Sequence, residues 1–118
     1  MEPFLATLPA DPFTLRDLRT RIARWLEDEG INGSVRDGVV LAAHEAAASA
    51  IERSPEVVTI DAELAGRSLT IVVTSDRVWS SPERDHQGPR MRLLRALVSK
   101  VKFEAGPDRA RMRLEKVF

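Results

Sequence analysis

The stretch Leu41-Ala42-Ala43-His44-Glu45-Ala46-Ala47-Ala48-Ser49-Ala50-Ile51-Glu52-Arg53 decides the fold. Alanine is the strongest helix former, and a helix rich in it can lie close to whatever it packs on. Read as a helix, Val35, Val39, Ala42, Ala46 and Ala50 align into a small-residue stripe suited to lie on a sheet. Glu45, Ser49 and Arg53, spaced by four, share another face. That face would set a carboxylate, a hydroxyl and a guanidinium along one side of a cleft; a solvated polar stripe has the same spacing. Ile31-Asn32-Gly33 makes a turn before this helix, Ser34 with Asp37 three residues on resembles a capping signal, and Pro55 stops it near Arg53.

Upstream, Leu15, Leu18, Ile22, Trp25 and Leu26 recur at helical spacing, with Thr14 placed to cap that helix and Gly30 to end it. Trp25 falls in its core stripe. Phe4 to Leu8 reads as an edge strand closed by Pro9 and Pro12, since proline cannot donate to a ladder. Downstream, Val58, Ile60, Ala62 and Leu64 alternate with polar residues, as do Leu69, Ile71 and Val73, and Gly66-Arg67 between them predicts a hairpin. Asp76 to Pro89 has no apolar period and reads as an exposed loop, with a lid over about 77–89. A short helix from near Arg90 carries Met91, Leu94, Leu97 and Val98. Val101 and Phe103, a turn at Gly106-Pro107-Asp108 and a strand with Ala110, Met112 and Leu114 inward complete the chain.

The order β-α-α-β-β-loop-α-β-β predicts an α+β fold. It is a two-layer α/β sandwich, a mixed, mostly antiparallel sheet covered on one face by about three helices, with the other face left to solvent or a partner. With 118 residues, the chain is read as one domain over 1–118.

Charge and composition narrow the function. Eighteen basic residues balance eighteen acidic ones, so no long-range positive field draws the chain to a nucleic-acid backbone. Absence of cysteine removes thiolate chemistry and Cys-ligated zinc, and two histidines are too few for a His-rich metal site. Met1-Glu2-Pro3-Phe4 lacks a signal-peptide pattern and no apolar run is long enough to cross a bilayer, which points to the cytoplasm without membrane association.

Four motifs carry a resemblance. Glu45-Ala46-Ala47-Ala48-Ser49-Ala50 is followed by Arg53; Asp76-Arg77-Val78-Trp79 follows a strand; Gly88-Pro89-Arg90-Met91 opens the third helix; Arg109-Ala110-Arg111-Met112 opens the last strand. Together they resemble the histidine-kinase-like ATPase superfamily, with its Bergerat-like fold, and within it the small anti-sigma-factor serine kinases of bacterial stress and sporulation switches.

The resemblance implies a site for ATP and magnesium. Glu45 takes the place of the general base that accepts a substrate hydroxyl proton, Ser49 that of the magnesium-binding Asn, and Arg53 that of the His or Arg one turn on. Asp76 stands for the adenine-reading carboxylate, Val78 for the glycine that lets the ring approach, and Trp79 for an adenine or partner contact in the lid. Gly88 and Arg90 fall on the two glycines of a phosphate-holding helix start, with Pro89 between them lacking an N–H. Ala110 replaces a threonine in the last strand.

Ser49, Val78, Arg90 and Ala110 thus depart from the family pattern on the nucleotide side, so ATP and magnesium binding is expected to be weak or absent. The expected function is that of an anti-sigma-factor-like regulator, monomer or homodimer, holding a sigma factor or an anti-sigma factor antagonist through helix one and the open sheet. The alternative is an active ATP-dependent serine/threonine protein kinase that phosphorylates the antagonist. Arg90, Arg92 and Arg95 suit either phosphate contact or a solvated helix face, and His44 reads as a packed or surface histidine.

Overall fold

The computed structural model of the chain describes residues 2–52, 56–76, 88–105 and 109–118. The first strand, β1 (Phe4–Pro9), alternates buried Phe4, Ala6 and Leu8 with exposed Leu5, Thr7 and Pro9. Helix α1 (Thr14–Asp28) buries Leu15, Leu18, Ile22 and Leu26. Removing each large apolar side chain from water contributes about 1.5–3 kcal/mol. Trp25 lies at the margin of this stripe rather than in it, half-buried and tilted against Phe4, with its Nε1–H donating to the Glu2 carbonyl at 2.9 Å.

The ends of α1 are set differently from expectation at one end and as expected at the other. Thr14 does not cap the helix; its hydroxyl donates back to the Asp11 carbonyl at 2.6 Å. The residue that takes up a free N–H is Asp11, whose carboxylate accepts from Phe13 at 2.9 Å. Gly30, at φ 84°, ends the helix, with its N–H on the Glu27 carbonyl and the Ile31 N–H on the Leu26 carbonyl. This pair of bonds needs the left-handed conformation that glycine adopts freely.

Helix α2 (Gly33–Ile51) begins one residue before Ser34, and Asn32 at its N-cap makes no side-chain bond, so the Ser34/Asp37 signal does not operate as a cap. Val35 is exposed, because the helix enters the core only from Val39 onward. Beyond it the buried face is broader than a stripe, taking in Ala42, Ala43, Ala46, Ala47, Ser49, Ala50 and Ile51. The helix packs on α1 and on the sheet.

β2 (Val57–Ala65) and β3 (Ser68–Ser75) form the expected hairpin around Gly66, whose φ of 60° suits a two-residue turn. Helix α3 (Pro89–Leu97) follows, with Gly88 as N-cap and Pro89 in its first turn, where the missing N–H costs nothing. β4 (Lys100–Ala105) and β5 (Ala110–Val117) close the sheet, in the order β1-β2-β3-β5-β4, antiparallel throughout. All three helices lie on one face, over a core that includes Ile60, Ile71, Leu94, Met112 and Leu114. The expected lid and the expected turn at 106–108 fall outside the described residues, apart from Gly88 and Pro89. No helix among the described residues is long and apolar enough to cross a membrane.

Two glycines in the helical region make opposite predictions. A Cβ on Gly38, in the middle of α2, would sit 3.7 Å from Leu97 Cδ2, an ordinary contact. Gly38→Ala should therefore raise unfolding stability by about 0.5–1 kcal/mol through helix propensity. Gly30→Ala should lower it, since the residue needs a positive φ. Urea denaturation of both variants checks the pair.

Candidate functional site

α2 carries Glu45 and Ser49, and Glu52 is its C-cap in helical conformation, so the two carboxylates, seven residues apart, fall on one face. Ser49 is buried. Glu45 is sheltered, its side chain 21% exposed, while Glu52 at 61% is open to solvent. Between them reaches Arg90, from the first turn of α3. Its Nε donates to Glu45 Oε2 at 2.8 Å, and its two terminal nitrogens donate to the two oxygens of Glu52 at 2.8 and 2.9 Å.

This is a fork-to-fork pair on one carboxylate with a third bond on another, the arrangement for which a planar guanidinium is suited and an ammonium is not. Glu52, and after it Glu45, hold the Arg90 guanidinium further above its already high value, against the opposing effect of burial. The position expected to be a phosphate-cradling glycine thus supplies a cation that ties α3 to α2 through the base-position carboxylate. One oxygen of that carboxylate, Glu45 Oε2, is engaged by the clamp.

The donor set does not fit a magnesium triphosphate as it stands. Arg90 holds both oxygens of Glu52 and one of Glu45, Ser49 offers only a short hydroxyl, and Pro89 contributes no N–H to the start of α3. Gly88 keeps an extended backbone as the N-cap, and a Cβ there would meet nothing within 4 Å. His44, next to Glu45, has a buried Nδ1 without a hydrogen-bond partner among the described residues. Burial pushes its imidazole below the ordinary value, with Arg19 and Arg90 adding to the effect and Glu45 opposing it.

Asp76 directly follows β3 and is exposed; its carboxylate accepts from the N–H of Glu56, the residue before β2, at 3.1 Å. It also lines an open cavity of about 450 Å³ with Val57, Thr59, Thr74, Ser75 and Arg109. Glu45, Ser49 and Arg90 are not among these lining residues. The structure therefore brings Glu45 and Arg90 into direct contact and keeps Ser49 one turn along the same helix, while Asp76 lines a cavity that none of these three lines among the described residues. Arg53, Val78 and Trp79 lie outside the described residues. Glu52 was not singled out from the sequence. Its signal was available as a second carboxylate two turns from Glu45, opposite an arginine standing where a glycine is expected.

With this geometry in place, the family can be stated. The profile of the histidine kinase-like ATPase domain matches residues 8–116, and the chain belongs to that family. Among solved structures it is similar to the RsbU and RsbW domains of Rv1364c from Mycobacterium tuberculosis, with a TM-score of 0.81 and 22% sequence identity over 99% of this chain. That likeness is one of fold, and the chain spans about a third of the solved chain it matches, 32% of its length. None of the curated proteins matches.

Arg90→Met should cost about 1 kcal/mol of unfolding stability at low salt, after discounting the charge-assisted bonds for solvent screening, and less at high salt. Arg90→Lys should recover less than half of the loss, because a point charge cannot form the fork. Denaturant unfolding at two ionic strengths reads both effects; an Arg90→Met protein as stable as the parent at low salt would mean that the clamp contributes nothing.

Proposed function

We propose that the chain is an anti-sigma-factor-like regulator that acts in the cytoplasm by binding protein partners, a sigma factor or its antagonist, with nucleotide binding weak or lost. The observation that carries this reading is the Arg90 clamp, in which the cation needed to neutralise the cleft carboxylates comes from the chain itself. The family membership supplies the scaffold, and the likeness in fold to a solved structure that includes an RsbW domain agrees with this branch.

A regulator that binds proteins needs a presented surface, and α1 offers one. Arg16, Arg19, Arg21 and Arg24 are exposed along it, interleaved with exposed Asp17, Glu27 and Asp28, a mixed charged face suited to a partner of complementary charge pattern. Phosphoryl transfer makes different demands. A base, a metal and phosphate donors have to be in position together, and each of these is compromised here by Arg90, Ser49 or Pro89. The kinase reading keeps one favourable observation, a glutamate at the base position, and it requires Arg90 to leave that glutamate.

Titration calorimetry with magnesium and ATP, paired with a phosphoryl-transfer assay, tests the proposal. The parent protein should bind with a Kd weaker than about 1 mM, under about 4 kcal/mol of binding free energy. Ser49→Asn combined with Arg90→Gly should bring the affinity into a measurable range. Micromolar binding by the parent, with transfer to a partner, would overturn the proposal and establish the kinase.

A further inference from the structure

The two edges of the sheet are finished differently. β4, at one edge, carries Lys100, Lys102 and Glu104, all exposed, and charges of this kind keep other strands from adding. β1, at the other edge, reads Phe4-Leu5-Ala6-Thr7-Leu8-Pro9 and has no charged residue. Its Leu5 is 63% exposed.

Register tells which backbone groups that uncharged edge leaves open. The two-residue turn at Gly66-Arg67 closes on Ala65 and Ser68, which form a hydrogen-bonded pair. Bonded pairs recur at every second residue, so Glu63, Asp61 and Thr59 bond to β3, while Ala62, Ile60 and Val58 turn their amides to β1. Phe4, Ala6 and Leu8 receive them, and the Ala10 N–H on the Glu56 carbonyl, at 3.2 Å, continues the same phase. Leu5 and Thr7 are left with N–H and C=O directed away from the sheet, and among the described residues no other backbone group bonds to them. This opening has closed ends. The Glu2 carbonyl is held by Trp25, Pro3 and Pro9 have no N–H, and the Pro9 carbonyl accepts from the Asp11 N–H at 2.8 Å.

Beside the opening, between β1 and α1, lies a cavity of about 370 Å³. Phe4 and Trp25 give it an aromatic lining, with ring centroids 6.0 Å apart, and the Arg21 guanidinium stands 5.9 Å from the Phe4 ring centre. Its charged lining is Arg21 and Arg24 against Asp28 alone. Arg24 makes no ion pair among the described residues, and Arg21 meets Asp17 at 3.7 Å. A bare strand edge and a net-positive aromatic groove thus run side by side.

We infer that the β1 edge docks an extended acidic segment of another protein, which adds antiparallel to β1 and alternates apolar with acidic residues. Backbone bonds to Leu5 and Thr7 hold it, the mode of recognition that exposed sheet edges serve. Its residues opposite Leu5 and Thr7 lie on the outer face, where an apolar side chain covers Leu5. Those opposite Phe4 and Ala6 project to the helix side, where a glutamate sets its methylenes on Trp25 and its carboxylate near Arg24. A second copy suits this edge poorly, because antiparallel pairing of two β1 strands would bring the arginines of both α1 helices together on one face. No residue is shared with the Arg90 cleft and the test uses no nucleotide, so either reading can fail without the other.

Fluorescence anisotropy of the full chain with a labelled, end-capped peptide of alternating valine and glutamate, about eight residues long, tests the inference. A Kd of about 100 μM or tighter is expected at low salt. Methylating the valine nitrogens should weaken binding at least tenfold, since those N–H groups bond to β1, whereas methylating the glutamate nitrogens should leave it within about twofold. Thr7→Pro, which removes only an outward N–H, should also cost at least tenfold. Arg24→Glu should do the same and should bind the valine–lysine peptide that the parent rejects. Circular dichroism confirms folding of each variant, and the methylated peptides carry the test on the parent chain if Thr7→Pro does not fold. Absence of binding at about 1 mM peptide, indifference to valine methylation, or equal binding of the lysine peptide by the parent would each overturn the inference. Self-association of the parent that Thr7→Pro abolishes would overturn it as well, by giving the edge to a second copy.

Discussion

The side chains of Ala42, Ala43, Ala46, Ala47 and Ala50 are wholly buried, and each is a single methyl group. Because so little lies between the α2 backbone and its neighbours, the helix is held close to the sheet and to α1 and α3. Close packing of this kind is rigid, since any enlargement must push a neighbour away. Glu45 and Ser49 ride on this helix and Glu52 on its C-cap, so the alanine packing positions all three relative to α3. The apolar wall makes the polar edge reproducible, and it sets Arg90 within reach of two carboxylates.

On that edge the chain solves a charge problem internally. Two glutamates on one face of a helix need positive charge nearby, and in an ATP-binding relative a metal could provide part of it. Here Arg90 provides it, with three short bonds to two carboxylates. Its aliphatic stem and planar head also take up room at the start of α3, where the family pattern has a bare glycine. Arg90 therefore acts three times: it fills space, offsets the charge of Glu45 and Glu52, and joins two helices. Under the proposed function the last of these is what the chain retains, a fixed helix layer displaying α1 to a partner.

Much of the fold was legible because apolar spacing survives any change at the site. The period of Leu15, Leu18, Ile22 and Leu26, the alternation through β2 and β3, and Gly66 at the hairpin all mean in the structure what they mean in the sequence. Helix starts were less legible. Thr14 and Ser34 look like caps, but the N-cap residues are Phe13 at α1 and Asn32 at α2, and neither makes a side-chain capping bond. At the site, the motif order singled out Glu45 and Arg90, but a motif describes residues against an absent ligand. It does not say that a departing residue turns back on its neighbours. Glu52 was missed for that reason, since its role exists only once Arg90 is seen to span the gap between α3 and α2.

The central claim is that the cleft is occupied by the chain's own guanidinium. The Arg90 side chain offers a direct probe, because its Nε–H should be held on Glu45. A nitrogen–proton correlation spectrum of the parent protein, assigned by comparison with Arg90→Lys, should show that proton in slow exchange with water. The signal should stay in place when magnesium and ATP are added to several millimolar. A signal that exchanges rapidly in the free protein, or one that shifts and saturates as nucleotide is added, would contradict the account.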